Sequence, residues 1–378
     1  MLGVFAASRL FFMSVGALAV WLLPQAEPAG DPLGPPGLLS YWARWDGAWY
    51  SEIAAEGYGE RAPQSTAFFP LYPLLLRVGI SAGLGPAVWG VALSLAFTLL
   101  ALYFVYRISE RLYGLRAARA ATLCLAFFPT AFFLNAVYTE ALFLALSAGS
   151  LWAGLVRRDL LLAGLLGALA AATRNLGVLL ALPLLFEWWR CRRELGPRSL
   201  AGVALVPAGL LGYMAFLWAR FGDPLLFAGQ QSYWGRALTA PSVTARMAWE
   251  AAAEGAGYLL QPSALFLDTS PTPALAASNA LNAIFLVLLL ALLGAAIAVL
   301  PPGLSAYTLL GAALPLLTPS PSFPLMSLPR FMLGLFPLFL VLGVLLSRSR
   351  TALLAWLAAS ATAGAALTAM FVTWRWVA

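Results

Sequence analysis

The chain has 378 residues, 62% of them hydrophobic and 10% charged, and sets 22 basic residues against 15 acidic ones for a net charge of +7; every basic residue is arginine and there is no histidine. That composition excludes a Ser-His-Asp triad, His-ligated zinc, a lysine-dependent phosphate loop and Schiff-base chemistry. Two cysteines, Cys124 and Cys191, are too few for a disulfide framework or a Cys-rich metal site, and no two Asp stand close enough to form an Asp-x-Asp metal clamp.

Ordinary soluble domains are about half apolar and about a quarter charged, so this balance belongs to a lipid environment. A transmembrane helix needs ~20 mostly apolar residues to cross a ~30 Å hydrocarbon core. In chain order such stretches fall near 4–23 and 86–106. Two more lie within 120–155, broken at Asn135 and at Tyr138-Thr139-Glu140, and two within 160–189, broken at Thr173-Arg174-Asn175. The last five lie near 199–218, 278–300, 304–318, 332–347 and 351–373, giving about eleven crossings. The first is read as a retained helix, since it lacks the charged start and small-residue cleavage site of a secretory signal. The fold class expected is an all-α integral membrane protein, a single multi-pass domain over 1–378.

Arginine placement sets the orientation. Segments carrying Arg107, Arg111, Arg116 and Arg119, Arg157 and Arg158, Arg190 to Arg198, and Arg348 and Arg350 share one side, with 12 Arg against four acids. The other side holds nine Arg against 11 acids. The positive-inside rule makes the first side, and the N-terminus, cytoplasmic. The basic charge thus reports topology, and no nucleic-acid partner is expected. The absence of lysine suggests a GC-rich genome and hence a bacterial plasma (inner) membrane. Cytoplasmic connections are short apart from 107–119. The long segments, 24–85, 219–277 and 319–331, are exoplasmic, and long connections tend to carry function. A cysteine placed at position 60 is expected to be labelled from outside intact cells.

Within the first of these, residues 41–58 read as a helix. At ~100° per residue, Asp46, Tyr50, Ile53 and Gly57 share a face, with Glu52 and Glu56 on another. Trp42, Trp45 and Trp49 give the segment an interfacial character. From spacing alone Asp46 is either a helix cap or partner of Arg44, or a carboxylate presented among aromatics. Thr66 to Arg77 follows, with Pro70 and Pro73 fixing a turn before a short apolar helix.

The string Arg44-Trp45-Asp46-Gly47-Ala48-Trp49-Tyr50 with Ile53-Ala54, Gly57-Tyr58 and Phe68-Phe69-Pro70-Leu71-Tyr72-Pro73 resembles the phosphatidylinositol-glycan class V mannosyltransferase family. The likeness continues through Asn135 and Tyr138-Thr139-Glu140, Thr173 to Gly177, Gly222-Asp223-Pro224 with Gln231 and Trp234, and Ser327 to Phe331; 237–277 carries nothing comparable. The resemblance implies a GT-C glycosyltransferase that takes a sugar, mannose in that family, from a polyprenyl-phosphate carrier. It places the catalytic acid of the first outside segment at Asp46, acting as general base on an acceptor hydroxyl. The acceptor, a glycolipid, a glycan or a protein, stays open.

A leaving phosphate calls for guanidinium groups. The candidates are Arg330 after the Pro-rich turn, Arg236 after Gln230 to Trp234, and Arg174 at a hairpin tip; a headgroup anchor or a salt bridge, such as Arg174 with Glu140, is the plainer role for each. Glu140 interrupts an apolar run and is a candidate to orient the acceptor, as are Gln231, Tyr50 and Trp234, the last two by stacking on sugar; structural pairing and interfacial packing are the alternatives. No cofactor and no metal are expected beyond the lipid-linked donor. The alternative from another class is a lipid or lipid-linked-sugar transporter or flippase, which concentrates ionisable groups and broken helices at the midplane. Here the breaks near 138 and 174 lie towards the outer surface and the acids crowd the outside segments.

Overall fold

The computed structural model describes residues 1–26, 39–59 and 63–377. The remainder of the first outside segment, position 60 included, lies outside the described residues. Among those residues every regular element is helical. The first span is α1 (Leu2–Leu22). A 3-10 turn at Ser40–Trp42 leads into α2 (Asp46–Glu56), and α3 (Leu71–Ser81) precedes the 41-residue α4 (Pro86–Ala126). Gly114 divides α4 at φ +83, a conformation open to glycine and costly for a side chain. The stretch 107–119, expected as a cytoplasmic loop, is therefore helical on both sides of this bend, and Arg107 and Glu110 pair along it at 3.5 Å.

The stretches 120–155 and 160–189, each expected to hold two crossings, are broken where their polar residues stand. The first resumes as α5 (Glu140–Trp152); the second is α6 (Leu160–Ala171), a 3-10 passage from Asn175, and α7 (Ala181–Leu195). Then come α8 (Leu200–Leu205) and α9 (Ala208–Phe221). The segment 219–277, expected to be exoplasmic, is itself helical, with α10 (Leu226–Gly229), a 3-10 turn at Gln230–Trp234, α11 (Pro241–Leu259) and α12 (Pro262–Phe266). The chain ends with α13 (Pro271–Val299), α14 (Pro302–Leu317), α15 (Leu328–Gly334), α16 (Pro337–Leu346) and α17 (Arg350–Val372).

Among the described residues, five segments are long and apolar enough to cross a bilayer, and two bent pairs, the helices over 197–221 (44°) and α15 with α16 (85°), raise the number to seven. The eleven expected crossings are not reached by this measure. Two of them are the arms of α4, while α6, α7 and α14 are 12, 15 and 16 residues long.

The core is built around α5, buried from Glu140 to Leu151 and packed by α4 and α6, with α16 lying against α4. Backbones approach closely where glycine permits. A β-carbon on Gly202 of α8 would lie 2.0 Å from the Leu160 carbonyl oxygen of α6, the small-residue packing by which helices associate in lipid. Trp42, read as an interfacial residue, belongs to this core. It is fully buried between Gly16 of α1 and Phe371 of α17, because α2 docks onto the bundle through its preceding turn.

Candidate active site

The start of α2 is anchored to the break that precedes α5. Val137 donates its backbone N–H to the Trp42 carbonyl at 2.9 Å. The Tyr138 hydroxyl accepts the Asp46 N–H at 3.2 Å and donates to the Arg44 carbonyl at 3.1 Å. Trp45, between them, has φ +53 and ψ −117. Such strain persists only where the surroundings impose it, and here one hydroxyl holds both flanking peptides. The result presents Asp46 as the first residue of α2.

Glu140 is likewise the first residue of α5, so both carboxylates sit at helix N-termini, where the dipole favours negative charge. Three guanidinium groups surround them. Arg330 of α15 donates through Nη1 to Asp46 Oδ2 at 2.7 Å, and its Nε lies 3.2 Å from Glu140 Oε1 without hydrogen-bond alignment. Arg174 Nη1 donates to the same Glu140 oxygen at 2.9 Å. Glu140 is 1% exposed, and its Oε2 has no partner among the described residues. The Arg330 guanidinium also stands 5.5 Å from the Tyr138 ring and 5.7 Å from Phe133, a cation–π setting that suits a partly desolvated cation.

Arg236 is placed differently. It donates to the Met326 carbonyl at 3.4 Å and lies 5.5 Å from the Phe331 ring, with no carboxylate partner among the described residues. Burial, reinforced by the like charge of Arg330, pushes its pKa down to about 10. Three guanidinium groups thus face two carboxylates, leaving an excess of one positive charge.

These groups border a cavity of about 740 Å³. Asp46, Tyr50, Arg174, Gln231, Trp234, Arg236 and Arg330 all line it, so seven of the eight residues singled out in the sequence meet at one place. Glu140, the eighth, lies behind the wall and holds two of its arginines. Tyr50 is packed edge-on against Phe68 and Tyr72, with its hydroxyl 3.3 Å from Thr139 Oγ1; burial, then the charge of Asp46, raises its pKa above the ordinary phenol range. Trp234 meets Phe68 edge-on. The pairing of Arg174 with Glu140 is present, and it places Arg174 on the cavity wall. Glu52 and Glu56 are exposed.

The sequence reading assigned Phe331 no role of its own and did not single out Phe371 or the C-terminal Trp374 and Trp376, which also line the cavity. The available signal was Trp374-Arg375-Trp376 itself, an aromatic pair about a cation just beyond the last span. Among the described residues no group of three or more metal-ligating side chains converges.

The family model described as Mannosyltransferase (PIG-V) matches residues 36–187, which include Asp46, Tyr50, Glu140 and Arg174; Gln231, Trp234, Arg236 and Arg330 lie beyond it. Two crystal structures of ArnT from Cupriavidus metallidurans are similar in part. The apo form shows 16% identity and a TM-score of 0.37 over 91% of this chain and 77% of that one. The form bound to undecaprenyl phosphate shows 14% identity and 0.36 over 90% and 77%. No curated protein matches.

Proposed function

We propose that this membrane glycosyltransferase, similar over residues 36–187 to the PIG-V mannosyltransferases, moves a hexose from a polyprenyl-phosphate carrier to an acceptor hydroxyl on the exoplasmic face. By the same likeness the hexose is mannose. Asp46 is the general base, and Arg330, Arg236 and Arg174 hold the donor phosphate. The observation that carries the reading is the Asp46–Arg330 pair on the cavity wall. A carboxylate that must take a proton and a guanidinium that must receive a phosphate are set 2.7 Å apart.

Chemically the pair has to separate. A phosphodiester entering the cavity brings one negative charge, matching the excess of one guanidinium. Its oxygens compete for Arg330 in the bidentate geometry that guanidinium groups favour. Asp46 is then freed to accept a proton from an acceptor hydroxyl ~3 Å away. The hydroxyl oxygen bonds to the anomeric carbon as the bond from that carbon to the phosphate oxygen breaks. The electron pair leaves with polyprenyl phosphate, whose added charge the guanidinium groups stabilise, and the proton ends on Asp46. No cofactor is needed. The side of action rests on the arginine asymmetry of the connecting segments.

The test is transfer from radiolabelled polyprenyl-phosphate-mannose to extracted membrane lipids by the purified chain in lipid nanodiscs. Asp46→Asn should retain donor binding and folding while transfer falls at least a thousandfold. Transfer at the wild-type rate in that variant would overturn the assignment of the base.

A further inference from the structure

Three consecutive residues at the break before α5 each hold a different part of the site. Glu140 pairs with Arg174 and Arg330, and Thr139 Oγ1 lies 3.3 Å from the Tyr50 hydroxyl. Tyr138 serves both members of the Asp46–Arg330 pair. Its hydroxyl accepts the Asp46 N–H at 3.2 Å and donates to the Arg44 carbonyl at 3.1 Å. Its ring stands 5.5 Å from the Arg330 guanidinium, and the residue, 2% exposed, lines the cavity beside Asp46.

The turn that Tyr138 holds is strained. The Gly47 N–H donates to the Arg44 carbonyl at 3.0 Å and closes a four-residue turn over 44–47. Trp45, at φ +53 and ψ −117, occupies the first central position of that turn. These angles match a type II′ turn, in which that position ordinarily belongs to glycine. A tryptophan stays there only where its surroundings over-determine the conformation. The Tyr138 hydroxyl bonds to the peptide on either side of it.

Transfer makes a demand on this turn that the resting pair conceals. Among the described residues, Arg330 is the one side chain that bonds to the Asp46 carboxylate. Once a phosphate takes Arg330, the carboxylate depends on the main chain of its turn for its aim. A displacement of about 1 Å at a reacting group costs of order 100-fold in rate.

We infer that Tyr138 is a positioning residue for the transfer: its hydroxyl keeps Asp46 aimed when the donor phosphate draws Arg330 away, and its ring seats Arg330 at the cavity. The inference rests on the transferase reading for the reaction and on the geometry for the hold. Because hydroxyl and ring act on different partners, they can be removed one at a time. Phe133 and Phe371 also pack against the ring, at 5.0 and 5.8 Å. A tyrosine kept for that packing alone would tolerate phenylalanine.

The experiment uses the full chain in nanodiscs. Transfer from polyprenyl-phosphate-mannose to extracted membrane lipids gives kcat, and binding of polyprenyl phosphate gives an affinity. Hydrogen–deuterium exchange reads the amides of 44–48 with and without polyprenyl phosphate. Tyr138→Phe should lower kcat 10- to 100-fold, bind polyprenyl phosphate within twofold of wild type, and exchange these amides at least tenfold faster once polyprenyl phosphate is bound. Tyr138→Leu should share the fall in kcat and bind polyprenyl phosphate at least fivefold more weakly. The proposal is overturned if Tyr138→Phe transfers at the wild-type rate, if its exchange over 44–48 matches wild type, or if its affinity and kcat fall together. A wild type that transfers nothing, with exchange over 44–48 still set by the hydroxyl, would fault the transferase reading and leave the hold on Asp46 standing.

Discussion

Glu140→Gln separates the work of the second carboxylate from that of the first. Glu140 shares one oxygen between Arg174 at 2.9 Å and Arg330 at 3.2 Å and is 1% exposed. At ~3 Å and an effective dielectric of about 20, each contact is worth roughly 5 kcal/mol before desolvation is charged against it. Breaking a buried pair by removing one partner costs about 3–5 kcal/mol net. The glutamine oxygen still accepts from Arg174, so the loss in folding stability should fall near 2–3 kcal/mol. The kinetic effect follows from Arg330, which Asp46 and Glu140 hold in opposition. With Glu140 neutral, Arg330 belongs to Asp46 alone, and the donor phosphate has to part a tighter pair before the base is free, an added ~1.4–2.8 kcal/mol that lowers kcat/KM 10- to 100-fold. Transfer from polyprenyl-phosphate-mannose with donor varied, beside tryptophan-fluorescence melting, reads both quantities. An unchanged kcat/KM in a variant of lowered stability would refute the reasoning.

Arg236→Ala should raise donor KM about 10- to 100-fold while leaving kcat within a few-fold. Because burial lowers the Arg236 pKa to about 10, the folded protein sheds this proton at a lower pH than the unfolded chain does. Donor affinity should therefore fall as pH rises through about 10 in wild type and lose that limb in the variant, as direct donor-binding isotherms can show; a persisting limb would assign it elsewhere. Arg9→Met removes a buried cation of α1 that donates to Asn135 Oδ1 at 2.7 Å and to the carbonyls of Ala126 and Ala131 at 2.8 and 2.9 Å. At about 1–3 kcal/mol for each acceptor left unmet, the variant should unfold in detergent at clearly lower temperature. Glu56→Cys, on the exposed face of α2, should be labelled by an impermeant maleimide in intact cells; Cys124 and Cys191 are buried and should give little background. Labelling only after lysis would invert the topology.

Much of this site was legible because its chemistry interrupts an apolar text. Tyr138-Thr139-Glu140 and Thr173-Arg174-Asn175 break helices in the sequence, and the same polar residues end or begin helices in the fold. Asp46 with Tyr50 and Ile53 on one helical face was likewise readable from period alone, and α2 buries Tyr50 and Ile53. Other features depend on partners distant in the chain. Arg330 and Asp46 are 284 positions apart, and nothing local to either names the other. Trp42 looked interfacial because composition cannot separate lipid headgroups from a protein interior as the surroundings of an indole. The bend at Gly114 escaped because charged residues on both sides of one glycine suit a loop and a solvated helix equally well.

The all-arginine composition gains a definite meaning at the cavity. Guanidinium groups stay charged where buried lysines shed their protons readily, and even Arg236, pushed down to about 10, is a cation at neutral pH. The cationic side of the site is therefore a fixed quantity across physiological pH, and the two carboxylates set what remains of it. An excess of one positive charge accommodates a phosphodiester and leaves a diphosphate under-neutralised. Burial enforces that count, since an unmatched charge in a low-dielectric site is expensive. A sugar linked through one phosphate should accordingly bind this cavity far better than the same sugar linked through two. Competition of the polyprenyl monophosphate and diphosphate for donor transfer measures the difference, and equal inhibition would show that the charge balance of these five residues does not select the donor.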